Sequence, residues 1–240
     1  MRRSSGYDES AADSAATSSA TMTRLYFVRH GESIANAGGV TMEHALIPLS
    51  PLGYAQADAI ATLLDVQPSR VLVSEYLRAQ EIARPLCAKV HRVAEVHPLL
   101  HEFSALGPAM IEGMTGEQRR PIANDYWQSA NPTIRMGQGA ETFLEFNARL
   151  TAFLDELPHL PDQCVLFGHG IWFGLLCWKL LGFSADDSQG MKAFRRFQSG
   201  LPTPNCVVYV LEDAGGTKWR FEVDEGTMRK LATVHATWTV

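Results

Sequence analysis

Positive charge is in short supply in this chain. Of 240 residues, 21 are Lys or Arg and 26 are Asp or Glu, a formal net charge of −5 at pH 7. The extended basic face that nucleic acid or an anionic membrane surface requires is therefore not expected. A small anion needs only a local cationic pocket and stays open as a ligand. No apolar run reaches the ~20 residues that span a bilayer. Cysteine is sparse: Cys87, Cys164, Cys177 and Cys206 stand far apart without C-x-x-C spacing, which reads as buried, reduced thiols of a cytoplasmic protein. Motifs of several enzyme classes are missing. There is no P-loop, and Gly137-Gln138-Gly139 lacks the third glycine and the preceding strand of a dinucleotide fingerprint. Gly168-His169-Gly170 has no serine to serve a nucleophile elbow. His97 and His101 are four apart, but Pro98 lies between them and no Cys or carboxylate completes a metal site.

The first 22 residues lack apolar side chains almost entirely beyond alanine. Ser, Ala and Thr dominate there with Asp8, Glu9 and Asp13, the composition of a disordered tail. Arg2-Arg3 is not followed by the apolar region of a signal peptide. The chain as a whole is 46% hydrophobic and 20% charged, enough for a sizeable core, and one domain is expected over 23–240.

What is present is a succession of strand, loop and helix. Leu25-Tyr26-Phe27-Val28 reads as a buried strand that stops at Arg29-His30-Gly31. Ser50 as N-cap and Pro51 at the first position open a helix continued by Tyr54, Ala57, Ile60, Ala61 and Leu64. Arg70 to Val73 is a short strand. Ser74 is expected to cap a helix to about Lys89, with Arg78 one turn in and able to point back at the strand end. A third strand is expected within His91–Val96. From Phe103 to Gln138 the pattern is broken by Gly107-Pro108, Gly113, Gly116, Pro121, Pro132 and Gly137, with at most one or two short helices. Its Arg119, Arg120, Tyr126, Trp127 and Arg135 favour a lid-like insertion over 103–138. Glu141–Leu157 is an amphipathic helix. Cys164–Phe167 is a strand, Gly168-His169-Gly170 a turn, and Ile171–Leu181 an apolar helix stopped by Gly182. Cys206–Leu211 and Trp219–Val223 read as a late or edge pair of strands. Such repeated units imply an α/β fold, a three-layer α/β/α sandwich with a mostly parallel sheet.

Open α/β sheets bind ligands at the carboxyl ends of their strands. Three such ends carry Arg29 with His30, then Arg78, then His169 between two glycines. Phosphoryl transfer to a histidine needs an imidazole in line with phosphorus, cations on the equatorial oxygens, and an acid for the leaving oxygen. Each residue also has a plainer reading. Arg29-His30 alone is a surface pair, Arg78 an exposed helical arginine beside Glu75 or Glu81, and His169 a satisfied core histidine.

Taken in order, the segments resemble the histidine phosphatase (phosphoglycerate mutase-like) superfamily over most of residues 24–212. Arg29-His30-Gly31-x-Ser33-x-x-Asn36 resembles its signature at the end of the first strand, and Leu49 to Ala57 resembles its Leu-Thr-x-x-Gly-x-x-Gln-Ala element. Ser74 with Arg78-Ala79 is similar to its second-arginine element, and Leu100-His101-Glu102 with Gly107 to its acid motif. Glu141-Thr142-Phe143 with Phe146 and Arg149 resembles the helix before the second histidine, and Asn205 to Val208 the late strand. The resemblance implies that His30 is the nucleophile, that Arg29, Arg78 and His169 hold phosphoryl oxygens, and that Ser33, Asn36 and Gly170 line the substrate side. It makes Glu102 the general acid, expected under the lid and protonated near neutrality, with Glu32 and Glu117 as competitors. Gly170 stands where the acid-phosphatase branch has an aspartate, which favours the mutase-like branch.

The departures are Glu75 for a proline, Glu81 for a glutamine, Leu46 for an aspartate and Ile171 for a glycine; Ile171 and Trp172 are expected to tighten the pocket wall. The leading expectation is a metal-independent phosphatase without a cofactor, acting on a small phosphorylated metabolite through a phosphohistidine. A phosphoglycerate mutase is the runner-up, against which Phe103 to Gly107 is neutral where mutases grip a carboxylate. An inactive phosphate-binding regulatory module is the third reading. No feature speaks to oligomeric state.

Overall fold

The computed structural model describes residues 22–40, 42–215 and 218–236. The tail expected over 1–22 lies outside them except for Met22, which is exposed. Strand β1 (Arg24–Arg29) runs between β4 (Cys164–Gly168), parallel to it, and β5 (Val208–Asp213), antiparallel. Strand β2 (Val71–Val73) pairs in parallel with β4 and with β3 (Ala94–Val96), and β6 (Trp219–Val223) closes the other edge against β5. The spatial order is β3-β2-β4-β1-β5-β6, with the parallel strands together and the late pair antiparallel.

The central strands are apolar on both faces because both faces are covered. Leu25, Phe27, Cys164, Leu166, Tyr209 and Leu211 enter one core cluster, while Tyr26, Val28, Val165, Phe167, Val208 and Val210 enter the other, the period of two that a pleated strand imposes. Helices α1 (Pro51–Leu63), α2 (Leu77–Val90) and α8 (Glu225–Ala236) cover the second cluster through residues such as Ile60, Ile82, Leu86 and Leu231. Helices α4 (Gly116–Ser129), α5 (Phe143–Glu156), α6 (Gly170–Leu180) and α7 (Ser188–Gly200) cover the first with Tyr126, Phe146, Leu150, Trp172 and Phe194. The three-layer α/β/α arrangement follows.

Two helices exceed what the sequence pattern suggested. Helix α7 is capped by the Asp187 carboxylate, which accepts the Gly190 amide at 2.7 Å, and it buries Met191 and Phe194. Helix α8 follows β6. Within 103–138, a short α3 (Pro108–Ile111) precedes the 14-residue α4, longer than the short helices expected. A reciprocal capping box between Thr115 and Gln118 starts α4, and Pro121 deletes only the one amide that would bond back to Glu117. The excursion is tied at its base, where the Gly107 amide donates to the Met136 carbonyl at 2.7 Å. A Cβ on Gly107 would sit 2.6 Å from the Gln138 carbonyl oxygen, so no larger residue fits that closure.

Arg149 on α5 fixes the chain just before and after Leu100. It pairs with Glu141 through two hydrogen bonds of 2.9 and 2.8 Å and donates to the Leu99 and His101 carbonyls at 3.0 and 2.7 Å. The two side chains are only 9% and 15% exposed. Arg149→Met leaves that carboxylate and both carbonyls unpaired, so urea unfolding at neutral pH is expected to show a loss of about 3–5 kcal/mol, the usual result of removing half of a buried pair. A loss under about 1 kcal/mol would show that the bridge contributes little.

Candidate active site

Strand β1 delivers His30 into a loop that its neighbours clamp. The His30 amide donates to the Gly168 carbonyl of β4 at 3.0 Å, and the His30 carbonyl accepts from the Cys206 amide at 3.3 Å and from Asn205 Nδ2 at 3.1 Å. On the far side α1 packs so closely that a Cβ on Gly53 would lie 2.1 Å from the Glu32 carbonyl oxygen, so glycine is required there. The His30 ring is buried, and its Nδ1 lies 2.7 Å from the Gly31 carbonyl oxygen. That acceptor places the proton on Nδ1 and leaves the lone pair on Nε2. Arg78 Nε donates to this Nε2 at 3.2 Å.

Arg78 sits in the first turn of α2 rather than one turn in, because the helix begins at Leu77 with Tyr76 as N-cap. Its NH1 donates to the His44 carbonyl at 2.7 Å, and its guanidinium lies 4.9 Å over the Tyr76 ring. Ser74 is not the cap that was expected. Its hydroxyl accepts the Tyr76 amide at 3.2 Å and meets His169 Nε2 at 2.8 Å. That hydroxyl keeps a proton it can give to Nε2, and a neutral His169 accepting it carries its own proton on Nδ1. That Nδ1 is buried without a hydrogen-bond partner among the described residues, as is Arg29 Nε. The His30 and His169 rings stand 5.2 Å apart, and Arg29 NH1 donates to the Thr203 carbonyl. A Cβ on Gly170 would lie 3.2 Å from Thr203 Oγ1 and 3.4 Å from Arg29 Nε.

These groups border a cavity of about 450 Å³ whose wall includes Arg29, His30, Ser33, Asn36, Arg78, Glu102 and Gly170. His169 stands just behind it, fully buried. Ser33 and Asn36 brace their own turn, each accepting the other's amide at 3.2–3.3 Å. Glu102 reaches the cavity, whereas Glu32 accepts from the Ser50 hydroxyl and Glu117 lies near Arg120 on α4. The Glu102 carboxyl accepts three backbone amides, from Phe103 and Trp172 at 2.9 Å and from Ile171 at 3.0 Å. Trp172 is no pocket wall. Helix direction turns it into the core, where its indole N–H donates to the Leu99 carbonyl at 2.6 Å and its ring packs on Phe153; Ile171 alone faces the cavity. Sequence reasoning missed His44, Thr203, Arg195 and Gln198, which also line it. Among the described residues no group of three or more His, Cys, Asp or Glu side chains could hold a metal ion, and no helix is long and apolar enough to cross a membrane.

Burial, reinforced by the charges of Arg78 and Arg29, pushes His30 well below the usual imidazole range. Burial and Arg78 do the same for His169. Burial, Arg78 and Arg119 push His44 down to about 4. All three are neutral in the fold and free to protonate when unfolded, so their stabilisation is complete above pH ~6.5 and is lost as pH falls from there. The thermal midpoint is expected to hold between pH 8 and 7 and to drop steadily between pH 6.5 and 5, while the ring resonances of His30 and His169 stay neutral at pH 5.5. A flat midpoint over that window, or either ring titrating near 6.5, contradicts this.

Comparison with known proteins bears on the same residues. The profile of the histidine phosphatase superfamily (branch 1) matches residues 25–225. The adenosylcobalamin/alpha-ribazole phosphatase of Escherichia coli (strain K12) is 33% identical over 169 residues, 68% of this chain and 81% of that protein. The probable phosphoglycerate mutase GpmB of Yersinia pestis (strain Pestoides F) is 29% identical over 180 residues, 71% of this chain and 80% of the other. Among solved structures, a mycobacterial glucosyl-3-phosphoglycerate phosphatase complexed with VO3 aligns with a TM-score of 0.64 at 25% identity, covering 84% of this chain and 98% of its own. Since the profile spans the strand-end loops that build the cavity as well as the sheet beneath them, the chain belongs to the histidine phosphatase superfamily, branch 1, and is a phosphoric monoester hydrolase.

Proposed function

We propose that this enzyme hydrolyses a small phosphorylated metabolite through a phosphohistidine on His30, with no metal ion taking part. The observation that carries the reading is the pairing of an oriented lone pair with spare donors. His30 Nε2 is held unprotonated beside Arg78, while Arg29 Nε and His169 Nδ1 are buried nitrogens without hydrogen-bond partners among the described residues. Buried donors of this kind call for acceptors, and phosphoryl oxygens supply them. In the first step the Nε2 lone pair forms the N–P bond as the ester P–O bond breaks, and Arg78 Nε exchanges its contact with Nε2 for a phosphoryl oxygen. Arginines and histidine then carry the transition-state charge that a metal would otherwise carry. The leaving oxygen takes a proton from Glu102. Glu102 borders the cavity beside the phosphoryl site, and the proton it gives is one held between its carboxyl and the phosphoryl oxygens, since two adjacent acidic groups share a proton. In the second step water attacks phosphorus, Glu102 takes up its proton, the N–P bond breaks and inorganic phosphate leaves.

His30→Ala is expected to abolish turnover of p-nitrophenyl phosphate, and brief reaction of the unaltered enzyme with labelled substrate is expected to leave phosphate in an acid-labile, alkali-stable linkage. Label that survives acid, as a serine ester does, assigns the nucleophile elsewhere. Glu102→Gln is expected to slow phosphoenzyme formation from an alkyl phosphate by roughly 10²–10⁴, the usual contribution of acid catalysis, and from p-nitrophenyl phosphate far less. Rapid-quench measurement with both substrates checks this, and equal losses would remove Glu102 from the acid role.

A further inference from the structure

One phosphoryl group occupies a small part of a 450 Å³ cavity. The remainder is walled by α4, whose Gly116, Arg119, Ala123 and Trp127 share one helical face, and by Arg195 and Gln198 of α7. The charge of that wall is one-sided. Among the described residues five arginines border the cavity, Arg29, Arg78, Arg119, Arg120 and Arg195, against one carboxylate, Glu102, whose oxygens already receive three amides; Glu117 on α4 stands 4.0 Å from Arg120. Arg195 is half-buried and forms no ion pair among the described residues. Its NH1 donates to Gln198 Oε1, and its guanidinium lies 4.8 Å over the Trp127 ring. These two contacts aim the group while leaving its charge uncancelled. Burial pushes both Arg119 and Arg195 below the usual guanidinium range, a cost that a bound anion offsets.

We infer that the α4–α7 wall is a second anion subsite, anchored by Arg195 with Arg119 beside it, and that the preferred substrates are phosphomonoesters bearing another anionic group, a carboxylate or a second phosphate. The inference rests on the phosphatase reading of the His30 end of the same cavity. A phosphomonoester with a neutral tail satisfies Arg29 and Arg78 and leaves Arg195 without a counter-charge among the described residues. One with a second anion gains a charge-assisted hydrogen bond, which corresponds to roughly 10- to 100-fold in kcat/KM.

The test compares n-alkyl phosphates of three to six carbons with esters of equal length ending in a carboxylate or a phosphate. Their phosphonate analogues, which cannot be hydrolysed, are compared by calorimetry. For at least one length the doubly anionic ester is expected to exceed its neutral partner at least tenfold in kcat/KM, the phosphonate Kd ratio is expected to follow, and both ratios should shrink as salt rises. Arg195→Gln should bring the ratio within about threefold of one, and Arg195→Lys should keep most of it. Whether the carboxylate or the phosphate series gives the larger ratio identifies the second anion. Ratios near one at every length, or a ratio that survives Arg195→Gln while both substrates weaken alike, would overturn the subsite and leave Arg195 a packing residue on Trp127. If no ester is turned over and no phosphoenzyme forms, the phosphatase reading fails, and the Kd ratio of the unaltered protein still decides the subsite. That ratio and its salt dependence also decide it if the Arg195 variants fail to fold.

Discussion

Two guanidinium groups pressed against neutral imidazoles set the terms for this molecule. Arg78 is only 8% exposed, and burial holds it down to about 10 despite the attraction of Glu102; Arg29 is lowered by the same cause. Neither has a carboxylate within ion-pair distance among the described residues. The fold tolerates them with carbonyl acceptors at His44 and Thr203 and with the Tyr76 ring. A chain that is acidic overall thus encloses a cationic hollow, and the field lines converge where an anionic substrate enters.

Keeping those charges close without collapse requires a stiff frame. The backbone of residues 29–31 is gripped from β4, from residues 205–207 just ahead of β5 and from α1, and glycines stand where two backbones nearly touch. Behind this loop the second histidine is oriented by a serine hydroxyl that also holds a backbone amide, so one side chain fixes both a turn and the setting of a ring. Glu102 is seated by the α6 amides and by the chain that Arg149 secures. Arg29, His30, Arg78 and Glu102 each take main-chain hydrogen bonds through their side chains, which tolerate less drift than contacts between flexible side chains.

Much of this was legible in the sequence wherever an apolar run stopped abruptly. Leu25 to Val28 and Cys164 to Phe167 announced their strands, and the residues that followed announced the loops. The capping serine of α1 behaves as its pattern required. Three things were hidden for physical reasons. A serine before a helix looks the same whether it caps an amide or orients a histidine, so the role of Ser74 emerged only in three dimensions. Trp172 lies two residues after a site glycine in sequence, but the 100° step per residue turns it off the face of α6 that Ile171 presents to the cavity and into the core. Helix α7 is punctuated by Gly190 and Gly200, and its polar face conceals Met191 and Phe194 at a three-residue spacing that, with Asp187 ahead of it, was a usable signal. Arg195 was missed with it.

The pairing of β1 with β4 and β5 also governs how the molecule comes into being. Leu25 lies beside Cys164 and Leu211, so the strand that carries His30 has no sheet partner until most of the chain exists. Contacts of such sequence separation are slow to form because long loops must close before any pairing offsets their entropy. During synthesis the first strand and its cationic loop wait while α1, β2, α2 and β3 emerge, and only the arrival of residues 205–207 clamps the loop from its second side. A chain truncated anywhere before β5 therefore carries His30 without the frame that holds it in place.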